Sequence, residues 1–397
     1  MAEPPSHSSP LEIFLIYLRL GCLSFGGPVA HMAYFQEEFV RHRGWLNDAR
    51  YAELIGLCQF VPGPSSSQLG FAIGWHRGGL TGACAAWLGF TLPSALLMCG
   101  LAYGLFALSG SITPLTDGLL IAAVAVVANA TIGLGIKLCP DLPRLAIALL
   151  AAACMLNFPS GMTQIAVILM GAFLGQYLQK ATHEKPPNPP KHSRSTPRAI
   201  IVIVLALYAV LLVVSLLVEA ATPGALYAMH YRAGALVFGG GHVVLPLLNE
   251  SVVAGGLISE SNFLAGYSAA QALPGPLFAL SAFLGTVGSE TSPAAIGGLL
   301  ALIAIFLPGM LLLIGLLPFW ARIRPTPWAQ ASLTGANAAV VGLLLATLID
   351  PVWTHGIQNS SHLGIALIAF FALYKFKVPA WAVVLGCAAL GVLPLPS

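Results

Sequence analysis

Arg19 stands six residues ahead of Phe25-Gly26-Gly27-Pro28, and Arg232 stands six residues ahead of Phe238-Gly239-Gly240-Gly241. Each phrase is followed at a similar distance by another, Gln59 with Pro62-Gly63-Pro64 and Gln271 with Pro274-Gly275-Pro276. Glycines let the backbone turn with positive φ and let a ligand approach the peptide groups closely. Where a helix restarts after them, its free N–H groups and positive dipole end favour an anion. The prolines cannot continue a helix, because they have no N–H to donate. The Gln59 and Gln271 amides could satisfy the freed backbone, cap a helix end or contact an oxyanion. Arg19 and Arg232 lie in or beside apolar segments, where a guanidinium needs a cavity or a partner. They either attract an oxyanion or form ion pairs with Glu37 or Glu250. Those two carboxylates are the candidates for proton coupling, with solvated loop positions as the alternative. His31 and His242 follow the glycines without aligning with one another, and each could donate to an anion, titrate near neutrality or sit satisfied in a core. The competing reading of the glycines is close helix packing through small residues.

The surrounding chain is 57% hydrophobic and 8% charged, where a soluble protein carries about a quarter charged residues. A chain of this length with so few charges belongs in a membrane. Met1 to Pro10 is polar, without Lys or Arg, and no secretory signal is expected, so the first apolar stretch stays in the mature chain. The cysteines Cys22, Cys58, Cys84, Cys99, Cys139, Cys154 and Cys387 are scattered, mostly in apolar stretches, and form neither CxxC nor Cys/His clusters. They read as small packing residues, and no metal or cofactor is expected. No catalytic motif is recognisable, so an enzyme built on His31 or His242 is a weak rival, and nothing suggests a nucleic-acid partner.

Apolar runs suited to crossing a bilayer, about 20 residues each, are Leu80 to Leu108, Pro114 to Ile136, Leu142 to Phe158 and Met162 to Leu178. After a polar, Pro-rich stretch come Ala199 to Val218, Pro293 to Trp320, Ala329 to Leu348, His362 to Tyr374 and Val378 to Leu395. The stretch between them holds Lys180, Lys185, Lys191, Arg194 and Arg198 against Glu184 alone, which places it in the cytoplasm. Counting outward, the run Leu80 to Leu108 starts inside beside Arg77, whereas Pro293 to Trp320 ends inside beside Arg322 and Arg324. Two halves of opposite topology follow, with Ala199 to Val218 as the extra helix that inverts them. The expected organisation is a polar tail (1–10), a first repeat (11–179), a basic linker (180–198), a connecting helix (199–220) and a second repeat (221–397). The fold class is all-α, a polytopic membrane protein with inverted repeats. Leu11 to Trp75 and Leu226 to Gly288 contain no clean span. Their glycine and proline breaks predict half-helices or re-entrant hairpins, tolerated at membrane depth only where protein or a water-filled cavity surrounds them.

Aligning Arg19 with Arg232 matches Gly21 with Gly234, Leu23 with Leu236 and Phe25 with Phe238, and a one-residue slip brings the Pro-Gly-Pro phrases together. Phe90-Thr-Leu-Pro93 answers Ile305-Phe-Leu-Pro308. Duplicated apolar halves with breaks at matching positions mark a secondary transporter. Phe25-Gly-Gly-Pro28 with His31, Trp45-Leu46, Pro62-Gly63-Pro64, Phe238-Gly-Gly-Gly241 and Pro274-Gly275-Pro276 together resemble the chromate ion transporter family in its long, two-domain form. Asn47-Asp48 stand where family members often place an acidic residue soon after the Trp-Leu pair. The resemblance implies export of chromate from a bacterial cytoplasm across the inner membrane, with sulfate as a related oxyanion, and halves of opposite topology. It carries Arg19 and the motif glycines and prolines into the site. The partners expected are a small oxyanion and the lipid bilayer, and a homodimer is one assembly open to such a chain. Bulky residues at Gly26 and Gly239 are expected to abolish transport without preventing insertion.

Overall fold

The computed structural model describes residues 8–25, 27–107, 113–178, 197–219, 222, 224–237, 244–289, 293–320 and 326–391. All regular structure among them is helical. Five helices are long and apolar enough to cross a membrane, and the chain is a multi-pass membrane protein.

The chain begins with two hairpins that enter and leave on one side. Helix α1 (Pro10–Leu23) starts at a capping box, in which the Ser9 hydroxyl accepts the Glu12 N–H at 3.1 Å. It stops at Ser24, and α2 (Gly27–Gln36) resumes after the glycines, continuing into a π-helical turn at Glu37–His42. The return brings Arg43 back to within 3.9 Å of Glu12, near the start of α1. Helix α3 (Asp48–Phe60), capped by the Asn47 side chain, breaks at Val61 to Pro64, and α4 (Ser65–Ala107) follows. Positive φ at Gly79 folds α4 into two arms, 65–78 and 80–107. At the end of the first arm Arg77 meets Ser8 at 3.2 Å and lies 5.1 Å above the Trp45 ring, just ahead of α3. Both the α1–α2 pair and the pair made by α3 with the first arm of α4 are therefore hairpins, with their ends together on one side. Arg43 and Arg50 are neutralised here by Glu38 and Glu53, each at 2.6 Å, as befits an interfacial anchor around Trp45.

The second half repeats this plan. Helices α5 (Thr113–Leu138), α6 (Leu142–Asn157) and α7 (Gly161–Leu178) complete the first half, and α8 (Arg198–Leu217) leads to the second. Then α9 (Ala225–Leu236) pairs with α10 (Val244–Leu248) and its π-helical turn Asn249–Val253. Helix α11 (Glu260–Ala272) breaks at Leu273 to Pro276. A 3-10 turn (Leu277–Ala279) and α12 (Leu280–Val287) then run back to Gly288, which packs on Ile258 just ahead of α11. Helix α13 (Ala294–Leu316) corresponds to the second arm of α4. The two lie antiparallel: Trp87 meets Phe306, Cys99 meets Gly298, and the Tyr103 hydroxyl accepts the Ala295 N–H. Equivalent helices pointing opposite ways are the direct expression of inverted topology.

The remaining helices interlock the halves. Helix α14 (Pro327–Thr347), followed by a π-helical turn (Leu348–Trp353), packs chiefly on α6 and α7 of the first half. Reciprocally, α5 packs on α15 (Ser360–Tyr374) and α16 (Ala380–Gly391) of the second. Small residues allow this close approach: Gly171 and Gly175 face Gly335, Gly342 faces Ala148, and Gly118 faces Cys387 and Ala388. Helix α8 packs on α9 and α13 along one side and leaves Val202, Ile203, Val210 and Leu217 exposed, an apolar surface suited to lipid.

Candidate functional site

Three of the chain breaks, and Val237 at the edge of the fourth, meet at one place. The Gly63 N–H, in the first Pro-Gly-Pro, donates to the Val237 carbonyl at 2.7 Å, immediately before the second Phe-Gly-Gly. The Gly275 N–H, in the second Pro-Gly-Pro, donates to the Ser24 carbonyl at 2.9 Å, immediately before the first. Ser24 and Val237 are equivalent in the repeat, as are Gly63 and Gly275, so one bond is the image of the other. Each tip is thus completed by the opposite half. Gly63 and Gly275 hold φ of 129° and 94°, which L side chains rarely adopt. Each tip also rests on the other half's crossing helix, Gly63 against Gly309 in α13 and Gly275 against Phe90 and Ser94 in α4. The crossing helices contain Pro93 and Pro308. Just before those prolines, Gly21 and Gly234 lie so close that a Cβ would fall 2.6 Å from the Phe90 carbonyl and 2.0 Å from that of Ile305.

Between the tips lies a narrow cavity lined by Pro28, Pro64, Ser65, Ser66, Pro276, Leu277 and Phe278. It has room for one water-sized sphere, and none of the described lining residues is charged. Helix α2, the first arm of α4 and the 3-10 turn leading into α12 all begin here, so unpaired N–H groups and positive dipole ends converge. The first half lines its share with Ser65 and Ser66, followed by Ser67 and Gln68, where the second half has Leu277, Phe278, Ala279 and Leu280. Equivalent backbone bonds thus accompany an asymmetric lining. Ser24 Oγ and Ser67 Oγ are buried without a hydrogen-bond partner, so polar capacity around the tips is left over.

Gln68 ties the centre together. Its Nε2 donates to the Pro62 carbonyl at 2.9 Å and to the Gly309 carbonyl at 3.2 Å, joining the first tip to the second half's crossing helix. Gln68→Leu, which installs the residue found at the equivalent second-half position, is expected to cost about 1–3 kcal/mol. Thermal denaturation of purified protein in detergent checks this.

The sequence-derived candidates divide. Pro28, Pro62, Gly63, Pro64, Pro274, Gly275 and Pro276 form the tips or line the cavity. Gly27 has φ of 75° and opens α2. Phe25 is half-buried, 6.0 Å from Trp381 of α16. His31 is fully buried, bridging Ser24 and Ser66. Gly26, Phe238, Gly239, Gly240, Gly241 and His242 lie outside the described residues. Arg19 is exposed on the outer face of α1, between Leu15 and Leu23, rather than turned toward the cavity. Arg232 is half-buried, 3.4 Å from the Ser251 hydroxyl and within electrostatic reach of Glu250. Gln59 is exposed, and Gln271 bonds Tyr267 one turn back, so the amide that works at the centre is that of Gln68. Glu37 is exposed beside Arg41 and His42 at 3.7 and 3.1 Å, at the surface end of its hairpin. The signal for Ser65, Ser66, Ser67 and Gln68 was present as a polar run directly after Pro-Gly-Pro with no counterpart in the second half.

Interlocked inverted halves with hairpins whose tips meet around a narrow cavity are the architecture of a membrane transport protein. The chain belongs to the chromate transporter family, whose model matches residues 11–176 and 224–392. It is 27% identical over 420 residues to the "Chromate transport protein" of Pseudomonas aeruginosa, covering 100% of this chain and 95% of that protein. It is 27% identical over 388 residues to the "Probable chromate transport protein" of Synechococcus elongatus, covering 95% and 93%. To the "Chromate transport protein" of Cupriavidus metallidurans it is 25% identical over 400 residues, covering 98% and 95%. No solved structure matches the chain.

Proposed function

We propose that this protein carries chromate, or a similar tetrahedral dianion such as sulfate, out of the bacterial cytoplasm across the inner membrane by alternating access. The observation that carries the reading is the convergence of three helix starts and the Ser65 and Ser66 side chains on one cavity whose described lining residues carry no formal charge. Peptide dipoles and hydroxyls stabilise an anion there while leaving it free to depart, which a pair of buried arginines would hinder. Arg232, paired toward Ser251 and Glu250, serves the hairpin's integrity, and Arg19 acts from outside the cavity. With room for a water-sized sphere only, the cavity is closed to an oxyanion in this state, and loading requires the tips to separate. This favours a carrier over a passive channel.

The basic residues at the first half's hairpin ends and in the linker support a cytoplasmic position for that side. Expelling a dianion from a negative-inside cell is then electrically downhill by about 4.6 kcal/mol at 100 mV, so the membrane potential alone can drive it. Inside-out vesicles carrying the protein are expected to take up radiolabelled chromate saturably under an inside-positive potential, with sulfate competing and an ionophore abolishing uptake. Uptake that never saturates would point to a channel, and none from folded protein would remove chromate as the cargo.

A further inference from the structure

We propose that His31 binds a proton together with the oxyanion and that Ser66 transmits this proton to the site, a step that rests on the anion reading of the cavity. His31 Nε2 lies 3.2 Å from the Ser24 carbonyl and Nδ1 lies 3.2 Å from the Ser66 hydroxyl. A carbonyl can only accept, so Nε2 carries the hydrogen. In the neutral ring Nδ1 is then a bare lone pair, and it takes the hydroxyl hydrogen of Ser66. Ser66 lines the cavity, and with its hydrogen turned to His31 it presents oxygen lone pairs there, which repel an anion.

A proton on Nδ1 reverses this. Nδ1–H now donates to Ser66 Oγ, the hydroxyl hydrogen is released toward the cavity, and a positive charge stands one side chain away. Anion binding and protonation therefore favour one another, and the coupling is reciprocal. The ring's contacts among the described residues are Ser24, Ser66 and the edge-on Phe90 at 5.1 Å. The charged groups of the elements packed around it lie elsewhere. Glu12 and Glu38 are held by Arg43, Glu37 by Arg41 and His42, and Arg77 by Ser8 and Trp45, all at the surface ends, while Arg19 is on the exposed face of α1. The opposite tip contributes Gly275, Pro276 and Leu277, which are uncharged. With no fixed carboxylate beside the ring among the described residues, the bound dianion is the counter-charge. Phe278 occupies the place equivalent to Ser66 in the second half, so the device exists once and one proton accompanies one dianion.

Chromate binding to the purified full-length protein, measured across alkaline pH, tests this. Wild-type affinity is expected to fall about tenfold per pH unit, with proton uptake on binding seen by an indicator dye in weak buffer. His31→Gln keeps both hydrogen bonds in the neutral pattern and is expected to bind weakly with no such slope, chromate's own protonation being common to both proteins. Ser66→Ala should bind more weakly than wild type at low pH and converge with it at high pH. In proteoliposomes at equal pH, a tenfold chromate gradient should be balanced at about 59 mV for one net charge, against about 30 mV for a bare dianion. A slope retained in His31→Gln, an equal loss at every pH in Ser66→Ala, or balance at the lower voltage overturns the proposal while leaving the anion site intact. Failure of the wild type to bind chromate at any pH removes the site itself, and the proton proposal with it.

Discussion

Gly275→Ala is expected to abolish transport while the helices still insert. The residue holds φ of 94°, a conformation that costs an L side chain about 1–2 kcal/mol. Its new Cβ would lie 2.9 Å from Ser94 Oγ and 3.4 Å from the Phe90 carbonyl, adding roughly 1–3 kcal/mol of overpacking. Relief can come only by moving the tip, and the tip is where the Gly275 N–H meets Ser24. The Ser24 carbonyl also faces His31, so one displacement disturbs the pairing between halves and the histidine together. A loss of about 2.7 kcal/mol at the step that reforms the tip would slow flux about a hundredfold. Vesicle uptake at matched protein level measures it, with Gly364→Ala as the control, since a Cβ there meets nothing within 4 Å. Wild-type flux from Gly275→Ala would mean that the tips do not need their mutual hydrogen bond.

Gly335→Leu is expected to prevent folding altogether. A Cβ at that position would sit 1.9 Å from the Gly171 carbonyl oxygen and 2.7 Å from the Gly175 Cα, and both obstacles are backbone. Leucine would have to drive α14 off α7, yet in a bilayer that seam depends on close approach of small residues, because lipid offers no hydrophobic drive to press helices together. The expected result is loss of the monodisperse peak on size-exclusion chromatography in detergent, with aggregate in its place. Gly104→Leu, at a site where a Cβ meets nothing within 4 Å, should elute as wild type does. A normal peak from Gly335→Leu would mean that α14 is not seated in the α6–α7 slot.

The duplicated phrases, the inverted halves and the breaks were readable because each rests on local chemistry: glycine and proline interrupt helices, and charge asymmetry orients spans. The site centre was legible only in part. Pro-Gly-Pro announces a chain break, but that Gly63 pairs with Val237 and Gly275 with Ser24 is a contact across the whole chain that no local pattern carries. Gln59 and Gln271 drew attention by their repetition, yet Gln68, which has no repeated partner, makes the bridging bonds, since substrate chemistry can be served from one half. Arg19 read as a cavity residue because its neighbours in sequence are apolar; helical phase places it on the outer face. The interlock was not read from the sequence: Gly171 and Gly175 stand one turn apart there, but nothing local names Gly335 as their partner.

That interlock has a consequence for how the molecule is made. When the ribosome has completed α7, the groove between α6 and α7 has no occupant, because α14 ends at Thr347. At about 5–20 residues per second, the wait is on the order of ten seconds or more. During it the nascent first half exposes the seam around Gly171 and Gly175 to lipid or to the insertion machinery, and α5 likewise waits for α15 and α16. Assembly of this protein is therefore a late event, completed only as the last helices are threaded between the first ones.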